Sequence, residues 1–319
     1  MKVCYKQLIG KRIYIMSEII TKNDIESILN MKVPSFVSKR LEENPLKYEN
    51  LSNKQLNDYL INVIKVLIGD IKKSGKHRLA EWESGWEENL NEFKETKNFN
   101  LLIPKYHSKN RYVRWKQNIV NPLSKTFDYD IHIAFVDTIL NNYLEGIENV
   151  YEFGAGPAYH LLRLQKQFPN LNFCGLDWTK TSQEIIKEIN NIFGTEIDGH
   201  RFDFFEPDNL FKIKPNSLIY SVAALEQVGD RYKDYINYLI EQKPAICIHM
   251  EPMAEFLDET NLIDYLSIEY FRKRNYLCGF MDYLKTLEAL NKIEIVNTKR
   301  LYTGSYFIEG HSMIAWRVK

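Results

Sequence analysis

The chain has 319 residues, of which 45% are hydrophobic and 13% aromatic, enough for a packed core in one large domain or two and too much for a disordered chain. Lys plus Arg and Asp plus Glu balance at 42 each, so no net field exists to gather nucleic acid or an anionic membrane surface. No run approaches the ~18 apolar residues of a membrane span, and Cys4, Cys174, Cys247 and Cys278 form no C-x-x-C or zinc pattern, so a reduced cytoplasmic protein without a metal is expected.

Residues 1–15 are basic, but polar residues break up the apolar stretch that a signal peptide needs. Met16, before Ser-Glu-Ile-Ile, reads as an alternative start, so residues 1–15 are expected to be poorly ordered and need not belong to the native protein. From 21 to about 100 the apolar spacing predicts helices over 22–31 and 52–72, the second with Leu56, Leu60, Val63, Ile64 and Leu67 in register and Ser52 or Asn53 as its cap. A third, over 76–90, sets Trp82 and Trp86 four apart on one face. Core packing outweighs a substrate wall as the reading of that pair. Residues 101–130 are polar, aromatic and irregular, a packed connector rather than a solvated linker, and 131–143 resume a helical pattern.

Past Gly146 short β-rich runs alternate with helical patterns, which predicts a mainly parallel sheet covered on both faces. Strands are expected near 149–153, 172–177, 200–204, 217–222, 245–250, 293–301 and 312–318. No helical pattern separates the last two, so they should pair as an antiparallel hairpin. The expected fold class is α/β, a seven-stranded Rossmann-like doubly wound sheet with that C-terminal hairpin, plus an N-terminal helical region. A division follows at 1–130, a helical cap and connector that shapes the substrate site, and 131–319, the sheet domain.

The sharpest local signal is Val150-Tyr-Glu-Phe-Gly-Ala-Gly-Pro-Ala158, a strand entering a glycine turn and then a helix. Glycine at 154 and 156 removes Cβ atoms that would block a ligand or forbid the bend. Asp177 ends the next strand 23 positions after Gly154, where a carboxylate can accept both ribose hydroxyls. A nicotinamide-dependent oxidoreductase shares this much, but its G-x-G-x-x-G pattern wants a small residue where Tyr159 stands.

With an acidic Glu152 two positions before Gly154, the segment from Val150 to Lys319 resembles the class I S-adenosylmethionine-dependent methyltransferases. Asp177, Asp203-Phe204, the run Leu218 to Gln227 and the closing hairpin belong to the same pattern. The resemblance implies S-adenosylmethionine as cofactor: Gly154 and Gly156 border its methionine portion, Glu152 orients the ammonium, Asp177 holds the ribose, Asp203 accepts from the adenine amino group and Phe204 lies near the ring. Ala158 stands where many members have a third glycine.

In such a sheet the ligand crevice lies beyond the carboxyl ends of the strands, which selects Glu226, His249 and Glu251 as catalytic candidates for taking a proton from an acceptor. The loop 303–311 could reach the same face with Tyr306 and His311, and Arg114 and Trp115 suit an anionic or ring-bearing acceptor. The expected function is methylation of a small molecule, on oxygen, in a bacterial cytoplasm, with a surface sugar or secondary metabolite as acceptor type and no nucleic-acid or membrane partner. The alternatives are the oxidoreductase and an inactive methyltransferase-fold binding protein.

Overall fold

A computed structural model describes residues 17–108 and 111–319; Cys4, Met16 and the expectation for residues 1–15 lie outside the described residues. β1 (Glu18–Ile20) and α1 (Lys22–Leu29) come first, and Thr21 caps α1 by exchanging bonds with Asp24. α2 (Ser35–Glu43), which the spacing does not predict, is followed by β2 (Leu46–Asn50) and α3 (Asn53–Ile68). Ser52 and Gln55 build the same reciprocal box at the start of α3, so the cap is Ser52. α4 (Leu79–Thr96) carries both tryptophans.

β3 (Val113–Trp115) and β4 (Asn118–Pro122) form a hairpin, so the N-terminal region is not purely helical as expected but mixes helices with short antiparallel strands. The hairpin turns on Lys116 and Gln117, at φ +47° and +60°. A left-handed pair of this kind is usually announced by Asn-Gly, which is why residue types gave no turn signal. α5 (Phe127–Asn141) is buried on nearly every side.

The main sheet begins with β5 (Asn149–Phe153), α6 (Tyr159–Gln167), β6 (Asn172–Asp177), α7 (Lys180–Phe193) and β7 (Ile197–Arg201). It continues with β8 (Ser217–Val222), α8 (Lys233–Gln242), β9 (Ile246–Glu251), α9 (Leu262–Arg274) and α10 (Phe280–Ala289). β10 (Ile293–Arg300), the two-residue β11 (Thr303–Gly304) and β12 (Ser312–Val318) close the chain. Among the described residues this sheet has seven strands in the order β10-β12-β9-β8-β5-β6-β7. The five strands from β5 to β9 pair in parallel, and β12 runs antiparallel to both β9 and β10. Strand positions follow the sequence expectation except β7, which ends before Phe202.

Helices cover both faces. Val150, Ile248 and Met250 pack with α5, α6 and α7 in one core, while Tyr151, Phe153, Cys247 and Trp316 pack with α8 and α10 in another. Each such side chain contributes about 1.5–3 kcal/mol by leaving water. β11 leaves the main sheet and pairs with β3, completing a second sheet in the order β1-β2-β4-β3-β11. No helix among the described residues is long and apolar enough to cross a membrane.

Candidate functional site

Winding reverses between β5 and β8, and the loops beyond their carboxyl ends part there to leave a cleft. Its narrow end, ≈ 530 Å³ including space open to solvent, is walled by Trp82, Asp177, Trp178, Asp203 and Phe204. The wide end, ≈ 1640 Å³ counted the same way, shares Trp82, Trp86 and Gly154 and adds Glu152, His132, Tyr159, Glu226 and His311. Trp82 and Trp86 therefore pack and line the cleft at once, with ring centroids 5.5 Å apart.

The turn after β5 needs its glycines. Gly154 has φ +80°, and a Cβ there would sit 2.2 Å from the Ala224 methyl; at Gly156, φ +50°, it would meet the Trp86 ring at 2.9 Å. Asp177 braces that turn from β6: one carboxylate oxygen accepts from the Gly156 N–H at 2.9 Å, and the other from the Thr179 N–H at 2.8 Å and hydroxyl at 2.6 Å. The oxygen with a single partner keeps acceptor capacity, and Asp177 lines the cleft. Burial raises its pKa, against the lowering pull of the Thr179 and Gly156 bonds. Asp203 accepts from the Phe205 N–H at 2.8 Å, so it shapes a turn while also walling the narrow end.

Glu152 is buried on β5 beside the wide end. Its oxygens meet His160 Nδ1 at 2.8 Å and accept from the Tyr220 hydroxyl at 3.0 Å. Burial lifts its carboxyl to about 8. Glu226 also faces the wide end, with burial first and the Glu251 charge second raising it to about 8.

His249 and Glu251 lie elsewhere. The His249 ring is fully buried against Phe280 and Trp316, with Nδ1 3.0 Å from the Ser221 hydroxyl. Glu251 accepts from the Ser221 hydroxyl at 2.7 Å and from the Ala224, Leu225 and Glu226 N–H groups at 3.1 Å, so it holds the turn that presents Glu226. Arg114 is buried and donates to the Ile263 and Phe307 carbonyls and to Tyr59. Trp115 packs edge-on against Phe135, and Tyr306 lies against Tyr59 and Tyr112 in a separate groove. Of the four acceptor-side expectations, only His311 is in the cleft.

The cleft also gathers Tyr106, His107, His132 and His160, which residue patterns did not mark. They come from three separate segments, and no sequence spacing joins those segments. With His311 they bring four of the chain's seven histidines together. Burial holds His132 and His160 well below the ordinary imidazole range and His311 down at about 3. Among the described residues no three His, Cys, Asp or Glu side chains are arranged to hold a metal ion.

No family model and no curated protein matches the chain. Solved structures do resemble it. The methyltransferase domain of bacterial CtHen1 is 15% identical at TM-score 0.44, over 60% of this chain and 99% of that one. The O-methyltransferase NcsB1 from neocarzinostatin biosynthesis, in complex with S-adenosylmethionine and 2-hydroxy-5-methyl naphthoic acid, is 14% identical at 0.40, over 75% and 70%. A Pyrococcus abyssi tRNA (uracil-54, C5)-methyltransferase in complex with S-adenosyl-L-homocysteine is 10% identical at 0.37, over 65% and 44%. The parallel strands, their reversal at β5 and β8, and the antiparallel pairing of β10 with β12 are what the sequence resemblance implied, and the placing of β12 between β10 and β9 is added by the structure. The fold is mixed α/β, built on a seven-stranded mixed sheet of that kind. In this fold the glycine turn, Asp177 and Asp203 stand together at one end of a single cleft, and the histidines stand at the other.

Proposed function

We propose that the chain is an S-adenosylmethionine-dependent methyltransferase acting on a hydroxyl group of a small molecule. The narrow end of the cleft carries the reading: carboxylates of Asp177 and Asp203 and aromatic walls of Trp178 and Phe204, beside a bare glycine turn, supply what an adenosine joined to an amino acid requires. The Trp82 indole N–H, buried there without a protein partner, supports a polar occupant. Asp177 would take the ribose, Asp203 the adenine amino group and Phe204 the ring, with Glu152, Gly154 and Gly156 around the methionine portion. When bound, the cofactor supplies an activated methyl group on its sulfonium.

The chain's own task is to align the acceptor and exclude water. The loop after β10 lines the wide end through Thr303 to Ser305, Phe307, Ile308, Gly310 and His311, which favours a small acceptor over a nucleic acid, as does the even charge balance. Glu226, protonated below about pH 8, donates a hydrogen bond that orients the acceptor, and Glu251 fixes the turn behind it.

Titration calorimetry on the whole protein tests the reading. S-adenosylhomocysteine should bind and NADH should not; the opposite preference favours the oxidoreductase, and binding of neither sinks both. Release of S-adenosylhomocysteine with hydroxylated small molecules, and not with RNA, tests the acceptor class. Cofactor binding without turnover on any of them would point to the inactive binding protein.

A further inference from the structure

The wide end of the cleft contains a continuous hydrogen-bonded chain of titratable groups. The Tyr220 hydroxyl donates to one Glu152 oxygen at 3.0 Å, and the other faces His160 Nδ1 at 2.8 Å. His160 Nε2 is 3.1 Å from His132 Nε2, and the Tyr159 hydroxyl lies 3.3 Å from that same His132 nitrogen. Four elements supply the parts: β8, β5, the first turn of α6, and α5. His160 lies one short turn after Glu152, so the glycine bend that folds α6 back over β5 is what stacks the imidazole on the carboxylate.

We propose that Glu152, His160 and His132 form a buried proton relay, in which His132 receives the hydroxyl proton of the methyl acceptor and Glu152 stores it. The inference rests on the methyltransferase reading for its substrate and on this geometry for everything else. Hydrogen bonding sets the resting tautomers. With Glu152 ionised, His160 carries its proton on Nδ1 and accepts at Nε2 from the Nε2–H of His132, which leaves His132 Nδ1 as the open nitrogen. A proton arriving at His132 Nδ1 sends its Nε2 proton to His160, whose Nδ1 proton passes to Glu152. The acceptor oxygen keeps the electron pair of its broken O–H bond for the new bond to the methyl carbon, while that carbon's bond to sulfur would break with its pair left on the sulfur as a neutral thioether. Every member of the chain ends neutral: Glu152 as the acid, His160 protonated at Nε2 and His132 at Nδ1.

Such a relay suits a dry site, because no imidazolium must persist where burial already disfavours the charged form of both rings. Around Glu152 stand His160, Tyr159 and Arg163 from α6, Tyr220 from β8, Asp177 from β6 and His132 from α5, with Tyr106 near the mouth. Arg163 alone among them is a cation, and it is held by Asp137. A carboxyl with an affinity of about 8 for its proton is matched to accepting one near neutrality.

Histidine-selective ¹⁵N NMR of the intact protein reads the tautomers directly and needs no cofactor. His160 should change from Nδ1–H to Nε2–H as pH falls through about 8, His132 should change in step, and Glu152→Gln should abolish both transitions. Tautomers that stay constant across that range in the native protein, or that still switch in Glu152→Gln, overturn the relay. Stoichiometric Zn²⁺ uptake that is lost in His132→Ala would overturn it in favour of a metal centre. Where turnover is measurable, His160→Gln should lower kcat at least about tenfold and remove the rise of kcat with pH, while KM moves little. A switch seen in protein that fails to bind S-adenosylhomocysteine would keep the relay and remove the methyltransferase reading.

Discussion

Gly154 and Gly146 share a left-handed backbone, at φ +80° and +74°, but differ in what surrounds them. A Cβ on Gly146 meets nothing within 4 Å, so Gly146→Ala should cost only the backbone strain, about 1–2 kcal/mol. Gly154→Ala adds a collision with Ala224 and should cost about 2–5 kcal/mol in urea unfolding, with loss of S-adenosylhomocysteine binding. Equal costs for the two would mean that the close approach to Ala224 contributes nothing. Glu226 admits a different comparison. Glu226→Gln retains a donor and should leave KM for the acceptor near its native value, whereas Glu226→Ala should raise it about 3–10-fold, the worth of one uncharged hydrogen bond. Steady-state kinetics would separate them.

Stability should also depend on these buried groups. Glu152 and Glu226, raised from 4.5 to about 8, hold protons in the folded chain that the unfolded chain releases above its lower pKa. Their contribution is therefore complete below about 4.5 and is lost as pH climbs to about 8. Buried His249 and His311, lowered from 6.5 to about 3, act in the opposite sense, and their gain is complete by about 6.5. Only the fall remains above that point, so urea midpoints should drop between about pH 6.5 and about pH 8, less steeply in Glu226→Gln. A midpoint rising across that interval would contradict the assigned directions.

At the scale of single elements, Arg300 at the end of β10 meets Glu309 through two bonds of 2.6 Å and Asp264 of α9 at 2.7 Å. Both carboxylates are buried, so Arg300→Ala should cost about 3–5 kcal/mol by leaving them uncompensated. Hydrogen exchange should speed up across residues 303–310, because Glu309 anchors that loop. Protection unchanged there would show that pairing between β11 and β3 suffices to hold it. The elements were unevenly legible in the sequence. Long apolar runs between turn signals located β5, β6, β8 and β12, since a strand buried on both faces has little freedom in composition. β1 to β4 are three to five residues long, too short for a period of two to stand out. The same limit touched the site: the rule about strand ends found the correct edge of the sheet but not the face. Ile248 and Met250 point toward the core of α5 to α7, so His249 and Glu251 between and after them point away from it, whereas Glu152 shares that side with His160.

Across the whole molecule, one apolar core runs from Ile20, Val37 and Trp86 to Val150, Leu161 and Ile248. Asp137 of α5 adds a charged tie, pairing with Arg40 of α2 at 2.9 Å and with Arg163 of α6. Thermal unfolding should accordingly be one transition, with calorimetric and van't Hoff enthalpies in agreement. Two resolved transitions would mean that the N-terminal part melts independently. The two residues of β11 carry a further consequence. They are a stitch between the lining of the cleft and the edge of the small sheet, so any widening of the entrance must either break that seam or swing the small sheet along with it. Admission of a substrate then becomes a movement of the chain's first third, and changes at β3, remote from any bond being made, would be felt as a change in how often the door opens.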